Sequence, residues 1–253
     1  MLIDFHTHLD FYKSEELEEQ LAEFSGTIVA AAVDEKSYLA NVAISNHTKT
    51  TARACRIIPT FGIHPNRADE NAPLLDDSTT TQRFEKYLAQ SPIIGEIGMD
   101  FCWSKCTRKN QEKVFRWFLE YCNKKGKACV IHTKDAEQEV CDILLDYPNA
   151  RPVIHWYDGP ENIFREFIRR NYMQTFGVET IRSPHLQKLL RLTPPELLLL
   201  ETDNPDSEPW LGGNRNDVVL IDRVYNEIAG LLEMSRPALE KLIEENCNRI
   251  LSN

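Results

Sequence analysis

The stretch Leu2-Ile3-Asp4-Phe5-His6-Thr7-His8 sets the interpretation of the whole chain. Its aliphatic and aromatic residues predict a short buried β-strand. Side chains alternate between the two faces of a strand, so His6 and His8 point to the same side. Two converging imidazoles are typical of a metal site, although His-x-His pairs also occur at solvated strand ends. The choice between these interpretations depends on polar residues elsewhere in the chain.

Short apolar strands alternate with amphipathic helices along the rest of the sequence. Eight strands are predicted, at Leu2–His8, Thr27–Val33, Ile57–Ile63, Ile93–Met99, Ala128–Ile131, Pro152–Ile154, Tyr172–Phe176 and Leu197–Leu200. This alternation indicates a parallel sheet with right-handed crossovers, and eight such units close most naturally into a TIM (β/α)8 barrel. Two last helices, Asp217–Leu232 and Arg236–Ile250, add an extra C-terminal helix. We therefore expect an α/β fold with one barrel domain over residues 1–253.

Residues that can bind a metal or a phosphate end six of the predicted strands. They are His6, His8, His64, Glu96, His132, His155 and Asp203. The carboxyl ends of all strands in a TIM barrel meet at one rim, where active sites lie, so these residues are expected to converge. Glu96 lies among apolar residues and needs a buried partner, for which a metal cation is the simplest choice. Each histidine alone has a structural alternative, a buried ring bonded to backbone.

Composition and charge narrow the functional classes. The 253 residues carry 29 Lys and Arg against 39 Asp and Glu, and the net charge of −10 disfavours non-specific adhesion to nucleic acid or anionic membranes. Seven scattered cysteines without CxxC spacing are expected to be reduced. Met1 leads directly into the first strand, and no apolar run approaches the ~20 residues that span a bilayer. We therefore expect a cytoplasmic protein without a membrane anchor.

Seven segments resemble the motifs of the TatD-like metal-dependent deoxyribonucleases of the amidohydrolase superfamily. The segments are DFHTHLD (4–10), GIHP (62–65), GEIGMD (95–100), His132, the region of His155, LLETDNP (199–205) and ENCNRIL (245–251). They cover the whole chain in the family's order. This set is far more specific than the His-x-His pair alone.

The resemblance implies a two-metal hydrolase that cleaves DNA phosphodiester bonds, typically as an exonuclease on single-stranded DNA. The implied ligands are His6, His8 and Asp203 for one divalent ion, His132 and His155 for the second, and Glu96 as the bridge between them. Such donors suit Mg, Mn, Zn or Co. Two cations of this kind hold a phosphodiester and activate water. Asp203 is the expected general base, and His64 the expected contact to a substrate phosphate.

Two segments that would form the substrate walls depart from the family pattern. The run Trp156-Tyr157-Asp158-Gly159 stands where members commonly carry Cys-Phe-Ser-Gly, and Phe101-Cys102-Trp103 replaces a usual pair of tyrosines. These changes spare the implied metal ligands. Trp103, Trp156 and Tyr157 are candidates to stack on the bases of a single strand, although aromatic residues at a rim often only pack.

A basic patch follows the fourth strand in this acidic protein. Lys105, Arg108 and Lys109 lie there in what is expected to be a loop. We expect the patch to steer the nucleic-acid backbone, with an ordinary solvated loop as the alternative. The predicted substrate contacts are therefore His64, Lys105, Arg108 and Trp156.

Two other functions fit the same fold. A metal-dependent amidohydrolase or esterase would act on a small C–N or C–O substrate. Many such enzymes carry a carboxylated lysine at the end of strand four, where this chain has Glu96, and this favours the nuclease. A non-catalytic scaffold is disfavoured because every expected ligand is present. The resemblance is also compatible with DNA repair, or with a multi-gene anti-phage system whose protein partners contact the divergent loops.

Overall fold

Eight parallel strands form the inner wall of the structure, a computed structural model that describes residues 1–51, 54–205, 207 and 217–252. The strands are β1 (Leu2–Thr7), β2 (Gly26–Ala30), β3 (Cys55–Pro59), β4 (Ile94–Asp100), β5 (Ala128–Lys134), β6 (Arg151–Ile154), β7 (Met173–Phe176) and β8 (Leu198–Leu200). Strands β1 to β3 pair in order, and so do β4 to β8. Isolated bridges join Phe61 to Ile94 and Thr7 to Asn204. The bridges close both sheets into the predicted TIM barrel.

Helices cover the outside of the barrel. They are α1 (Ser14–Glu23), α2 (Glu35–Thr50), α3 (Ala68–Asn71), α4 (Ser78–Gln90), α5 (Arg108–Lys125), α6 (Glu137–Leu144), α7 (Glu161–Arg169), α8 (Pro184–Leu192), α9 (Leu220–Leu231) and α10 (Arg236–Leu251). Helix α9 follows β8, and α10 is the predicted extra C-terminal helix. Within the described residues, every helix is too short or too polar to cross a membrane. The assignment of residues 1–253 to one domain stays a prediction.

Short polar side chains start several of these helices where the sequence offers them. The Asp34, Asp77, Thr107, Ser183 and Ser235 side chains each accept a hydrogen bond from a backbone N–H in the first turn of α2, α4, α5, α8 and α10. These bonds satisfy donors that the helix itself leaves without partners. The caps therefore fix where the strand-to-helix loops at the rim end.

The two terminal helices are joined to β1 and β8 by side-chain hydrogen bonds. The buried hydroxyl of Tyr225 in α9 lies 3.1 Å from the backbone nitrogen of Ile3 and 3.2 Å from its oxygen. In α10, the Asn246 side-chain amide donates to the carbonyl oxygens of Leu198 and Pro195, at 2.7 and 2.8 Å. Asn246 belongs to the ENCNRIL segment, so this motif has a structural role in holding the last strand.

The predicted third strand is shorter than expected, and His64 does not end it. β3 ends at Pro59, the last residue in its register with β2. The chain beyond remains extended through single bonds to its neighbours, from Thr60 N to Ala30 O at 3.0 Å and from His64 N to Val33 O at 2.9 Å. His64 therefore reaches the rim from a loop, five residues after the strand.

The cysteines behave as small apolar residues. Cys55, Cys122, Cys129, Cys141 and Cys247 are buried. None of the seven cysteines, all of which lie in the described part of the chain, forms a disulfide bond. This agrees with the expected reduced state.

Candidate metal centre

The end of β1, the segment after β8 and Glu96 of β4 bring four donor atoms together at the rim. The Nε2 atom of His6 lies 3.3 Å from Nε2 of His8. It also lies 3.4 Å from Glu96 Oε2 and 3.4 Å from Asp203 Oδ1. The Nε2 atom of His8 lies 3.5 Å from the same Glu96 oxygen and 3.3 Å from the same Asp203 oxygen. We call these four atoms the β1–β8 group.

The spacing within the β1–β8 group fits a tetrahedral divalent cation. Ligand atoms bound at ~2.0–2.1 Å in a tetrahedron lie roughly 3.3–3.4 Å from one another. The five distances given above range from 3.3 to 3.5 Å. The Nδ1 atoms of His6 and His8 are buried without a hydrogen-bond partner among the described residues. The nitrogen and carboxylate donors therefore suit a bound cation in both chemistry and spacing.

The second oxygen of Glu96 faces a further set of imidazoles. Glu96 Oε1 lies 2.8 Å from Nδ1 of His132 in β5 and 3.5 Å from Nε2 of His155, which follows β6. We call these three atoms the β5–β6 group. The Nε2 atom of His64 lies beside it, 3.5 Å from Glu96 Oε1 and 3.3 Å from His132 Nδ1. Since Glu96 contributes one oxygen to each group, its carboxylate has the position of a bridging ligand.

Two buried carboxylates behind the β5–β6 group orient its imidazoles. Asp100 Oδ2 lies 3.2 Å from Nε2 of His132, and Glu201 Oε2 lies 2.8 Å from Nδ1 of His155. In the neutral rings, each acid accepts a hydrogen bond from the N–H of the outer nitrogen, and the inner nitrogen keeps its lone pair toward Glu96. The sequence interpretation assigned neither acid. Their positions at the ends of predicted strands and within the segments GEIGMD and LLETDNP were the available signals.

Gly98 allows β4 to approach β5 closely at the site. It pairs with His132 and has a φ of +148°, which side chains rarely adopt. A Cβ atom at this position would lie 2.0 Å from the carbonyl oxygen of His132. Any side chain would push the two strands apart, and so separate Glu96 from His132.

The acids of the centre are ionised, and two of its imidazoles are positively charged, with a proton on both ring nitrogens. Burial would raise the pKa of Glu96, but the surrounding imidazoles outweigh it and hold the pKa well below its usual value. Burial lowers the pKa of His8, yet the adjacent Asp203 carboxylate outweighs it, and the pKa rises to about 9. Burial also lowers the pKa of His132, but the Asp100 and Glu96 carboxylates outweigh this effect, and the pKa rises to about 9. A cation would have to displace these protons.

His64 differs from the other imidazoles in its protonation. Its Nδ1 accepts a hydrogen bond from the backbone N–H of Asn66 at 3.1 Å, so the proton of the neutral ring lies on Nε2. Burial, helped by His132 and opposed by Glu96, lowers its pKa to about 4. The ring is therefore neutral near pH 7 and presents an N–H donor to the centre, as a phosphate contact requires.

The predicted basic patch lies partly in a helix. Lys105 is exposed in the loop after β4, but Arg108 and Lys109 belong to the first turn of α5, which Thr107 caps. The Arg108 guanidinium lies 3.7 Å from the centre of the Phe101 ring and 3.6 Å from an oxygen of Glu139. These contacts fix the direction of Arg108 and partly neutralise its charge.

The three aromatic candidates have different environments. Trp103 is 56% exposed, and Trp156 is half-buried beside the β5–β6 group. Tyr157 is buried, packs against Phe164 and Phe167 of α7, and donates its hydroxyl proton to a backbone oxygen. The expectation that Tyr157 stacks on a base is therefore wrong, because its ring is buried against α7 and does not line the cavity.

A cavity of about 310 Å³ opens over both donor groups. Its walls include Phe11, Asn66, Trp103 and Ser104 in addition to the donor residues. The rim thus combines a concave space with two sets of imidazole and carboxylate donors, which is the arrangement of a metal-dependent hydrolase.

The comparison with protein families agrees with this class. A family model described as TatD related DNase matches residues 3–252. The chain therefore belongs to the TatD-related DNase family, as the motifs predict, and is a metal-dependent hydrolase.

Individual relatives are distant but extend over most of the chain. YabD of Bacillus subtilis, named an uncharacterized metal-dependent hydrolase, is 26% identical over 266 residues, which cover 99% of this chain and 98% of that protein. The 3'-5' ssDNA/RNA exonuclease TatD of Musicola paradisiaca is 26% identical over 203 residues, or 76% of this chain and 75% of that protein. The solved structure of YJJV, a TatD homolog from Escherichia coli, matches 100% of this chain and 98% of its own with a TM-score of 0.82 at 20% identity. This last likeness shows the same barrel fold.

Proposed function

We propose that this protein hydrolyses DNA phosphodiester bonds at a two-cation centre in the rim, and that it acts as an exonuclease on single-stranded DNA. The observation that carries the proposal is the position of Glu96, whose two oxygens face two separate donor groups. Relatives named as single-strand exonucleases and deoxyribonucleases support the choice of DNA over a small amide or ester. The family described as TatD related DNase supports the same choice.

One cation would be held by the β1–β8 group and the other by the β5–β6 group. The ligands would be His6, His8 and Asp203 for the first, His132 and His155 for the second, and Glu96 for both. Mg, Mn, Zn and Co all accept such donors. When bound, the cations supply positive charge for the phosphate oxygens and make water more acidic.

Asp203 would accept the proton of the attacking water. Burial opposes ionisation, but contact with His8 and the imidazoles nearby lower its pKa below the usual value, so the carboxylate is a base near pH 7. Its side chain is 26% exposed, compared with 2% for Glu96, so substrate and water can reach it. The Nε2–H donor of His64 would bond a phosphate oxygen on the other side of the cavity.

The substrate strand would lie along the rim past Trp103, Trp156 and the basic patch. Trp103 offers an exposed ring to a base, while Lys105 and Arg108 offer charge to the phosphates. Unpaired bases are needed for stacking, which favours a single strand over a duplex. A cytoplasmic location, a part in DNA repair or anti-phage defence, and protein partners at the divergent loops stay predictions.

The test is digestion of end-labelled single- and double-stranded DNA with Mn²⁺, followed on gels over time. We expect stepwise shortening of the single strand, and a loss of rate by more than about a hundredfold in Glu96→Ala, because even residues behind metal ligands cost 10–100-fold when removed. Glu227→Ala, at an exposed position in α9, is the matched control. Equal digestion by Glu96→Ala, or hydrolysis of p-nitrophenyl acetate but of no DNA, would contradict the proposal.

A further inference from the structure

A second cavity, of about 280 Å³, opens beside the metal centre. It shares Trp103, His132, His155 and Asp203 with the cavity over the donor groups, so the two spaces adjoin. Its remaining walls include Lys134, Trp156, Asp158 and Glu179. We call this space the tryptophan pocket. None of these four residues belongs to a donor group, so their arrangement calls for a separate explanation.

Lys134 forms the polar floor of the tryptophan pocket. It ends β5, two residues after His132, and is only 6% exposed. Its ammonium group donates to the backbone oxygen of Trp156 and to Asp158 Oδ1, both at 2.8 Å. An ammonium group has three protons to donate, so a third donor is available to a ligand within this part of the described chain. The Nζ atom lies 5.6 and 5.8 Å from the centres of the Trp103 and Trp156 rings, between the two indoles.

Trp156 is a rigid wall of the pocket. Its backbone N–H lies 2.9 Å from Glu201 Oε1 and 3.0 Å from the Thr175 hydroxyl, and its φ is +39°. Its indole N–H donates to Glu179 Oε2 at 2.6 Å. Both ends of the residue are therefore fixed, and a ring held in this way loses little entropy when a ligand packs against it. A left-handed backbone at a tryptophan is costly, and such positions concentrate where a side chain has a functional task.

The polar groups of the pocket select among flat ligands. One carboxylate oxygen of Glu179 accepts from the Trp156 indole, and one oxygen of Asp158 accepts from Lys134. The second oxygen of each acid can accept a further hydrogen bond. A base that presents N–H groups suits these acceptors, and a carbonyl edge is repelled by them. Lysine donors in turn suit the O6 and N7 atoms of guanine. Guanine offers its N1–H and amino group to the carboxylates and its O6 and N7 atoms to the lysine, whereas thymine offers the carboxylates a single N–H flanked by two carbonyl oxygens.

We propose that the tryptophan pocket binds the base of the nucleotide next to the cleaved phosphodiester, and that it selects guanine over thymine. The proposal rests on the function proposed above, because it takes the adjoining centre to hold the phosphate. Trp103 and Trp156 supply the stacking surfaces, Glu179 and Asp158 accept from the base, and Lys134 donates to it. This chain carries both tryptophans in the two segments that depart from the family pattern.

Calorimetric binding of nucleotides to the Mn²⁺-loaded protein tests the pocket without turnover. The probes are dGMP, dTMP and deoxyribose 5-phosphate, which carries no base. We expect dGMP to bind roughly tenfold more tightly than dTMP, the size expected for one well-placed pair of base contacts. Glu179→Gln keeps an acceptor for the Trp156 indole and should erase this preference. Trp103→Ala, at an exposed position, should weaken both nucleotides roughly tenfold through lost stacking.

Glu227→Gln, which makes the same charge change on the exposed face of α9, should bind all three probes as the unaltered protein does. Equal affinities for dGMP, dTMP and deoxyribose 5-phosphate would overturn the pocket assignment, and so would an unchanged dGMP affinity in Trp103→Ala. DNA digestion by the same preparations separates the two proposals. Cleavage of DNA without base preference overturns the pocket alone, while base-selective binding by a protein that cleaves no DNA supports the pocket and overturns the nuclease.

Discussion

The two donor groups that share Glu96 are built in opposite ways. In the β1–β8 group the inner nitrogens of His6 and His8 face two carboxylate oxygens at nearly equal distances, and their outer nitrogens lack hydrogen-bond partners among the described residues. In the β5–β6 group the outer nitrogen of each imidazole lies against a buried acid, Asp100 or Glu201. The protein thus orients the second group by itself, whereas the first group depends on what it binds.

This difference assigns separate tasks to the two groups. Imidazoles held from behind by carboxylates are fixed in tautomer and direction before a cation arrives, and such support raises their strength as ligands. Imidazoles without that support gain their order from the cation itself. We therefore expect the β5–β6 group to bind its cation more tightly, and the β1–β8 group, which holds the proposed base, to exchange its cation more readily.

Asp203→Asn should have the largest effect on this comparison. The amide supplies a poorer ligand and no base, so DNA cleavage should fall by more than about a hundredfold. The protein should lose the cation of the β1–β8 group and keep the other, as measured by metal analysis after gel filtration. Asp142→Asn, exposed on α6, is the control. Loss of both cations from the Asp203 variant would contradict the separation of the two groups.

Glu201→Gln should weaken the β5–β6 group specifically. Gln keeps the volume of this fully buried side chain but removes the charge that orients His155. Affinity for the more tightly bound Mn²⁺ should fall about 10–100-fold, the usual cost of such a support. Titration followed by calorimetry measures both affinities, with Glu227→Gln as the control. An effect confined to the weaker cation would reverse our assignment of the two groups.

The pH dependence of stability should become weaker when cations bind. In the metal-free protein the pKa values of His8 and His132 are about 9, above the 6.5 of free histidine. Their contribution to stability is therefore present below pH 6.5 and lost as the pH rises to about 9. Burial raises the pKa of Asp4 to about 8, although the hydrogen bonds with Thr202 lower it. Asp4 therefore changes the stability in the same direction as the two histidines.

Binding of Mn²⁺ near pH 7.5 should release about two protons, because His8 and His132 must lose theirs. The melting temperature should consequently fall between pH 6.5 and 9 without metal, and it should fall less over the same range with metal, because the metal-bound protein no longer carries the protons of His8 and His132. Scanning calorimetry at several pH values compares the two slopes, and titrations in buffers of different ionisation enthalpy count the protons. Parallel curves of melting temperature against pH, with and without metal, would show that the cation displaces a proton from neither imidazole.

Arg108→Gln should give the smallest effect and leave both donor groups intact. Arg108 is exposed and already contacts Phe101 and Glu139, so it has only part of its charge to offer a phosphate. The KM for single-stranded DNA should rise a few-fold at low salt, and the salt dependence of log KM should lose about one unit of slope. The metal content and kcat should not change. A fall in kcat would place Arg108 closer to the reaction than its contacts indicate.

The barrel was predictable because its physical signals are local. Each strand is a short apolar run, each helix is a longer amphipathic one, and their alternation permits few topologies. Because the carboxyl ends of all strands in such a barrel meet at one rim, His6, Glu96 and Asp203 could be predicted to lie close together without knowledge of any distance. The length of β3 was harder to predict, since its regular pairing ends at Pro59 while the chain beyond it remains extended.

The roles of individual side chains at the rim were less predictable. The rings of His132 and His155 are oriented by the groups behind them, which decide which nitrogen faces the centre. The sequence does not show which groups these are. Asp100 and Glu201 were therefore missed as orienting acids. Tyr157 and Trp156 are neighbours with opposite environments, because both lie in the loop after β6, where Trp156 has a φ of +39° and strand alternation no longer applies. Lys134 was overlooked because it looks like an ordinary strand-terminal lysine.

The closure of the ring between β8 and β1 has a consequence for how the enzyme is made. The Asp4 carboxylate bonds both the backbone N–H and the hydroxyl of Thr202, 198 positions further along the chain, directly below Asp203. At ~5–20 residues per second, a ribosome needs roughly 10–40 s to connect those positions. Throughout that interval the nascent polypeptide carries its first two histidines without Asp203, whose carboxylate lies 3.4 and 3.3 Å from them in the finished fold. Fragments that terminate before this residue should therefore be unable to assemble the β1–β8 group.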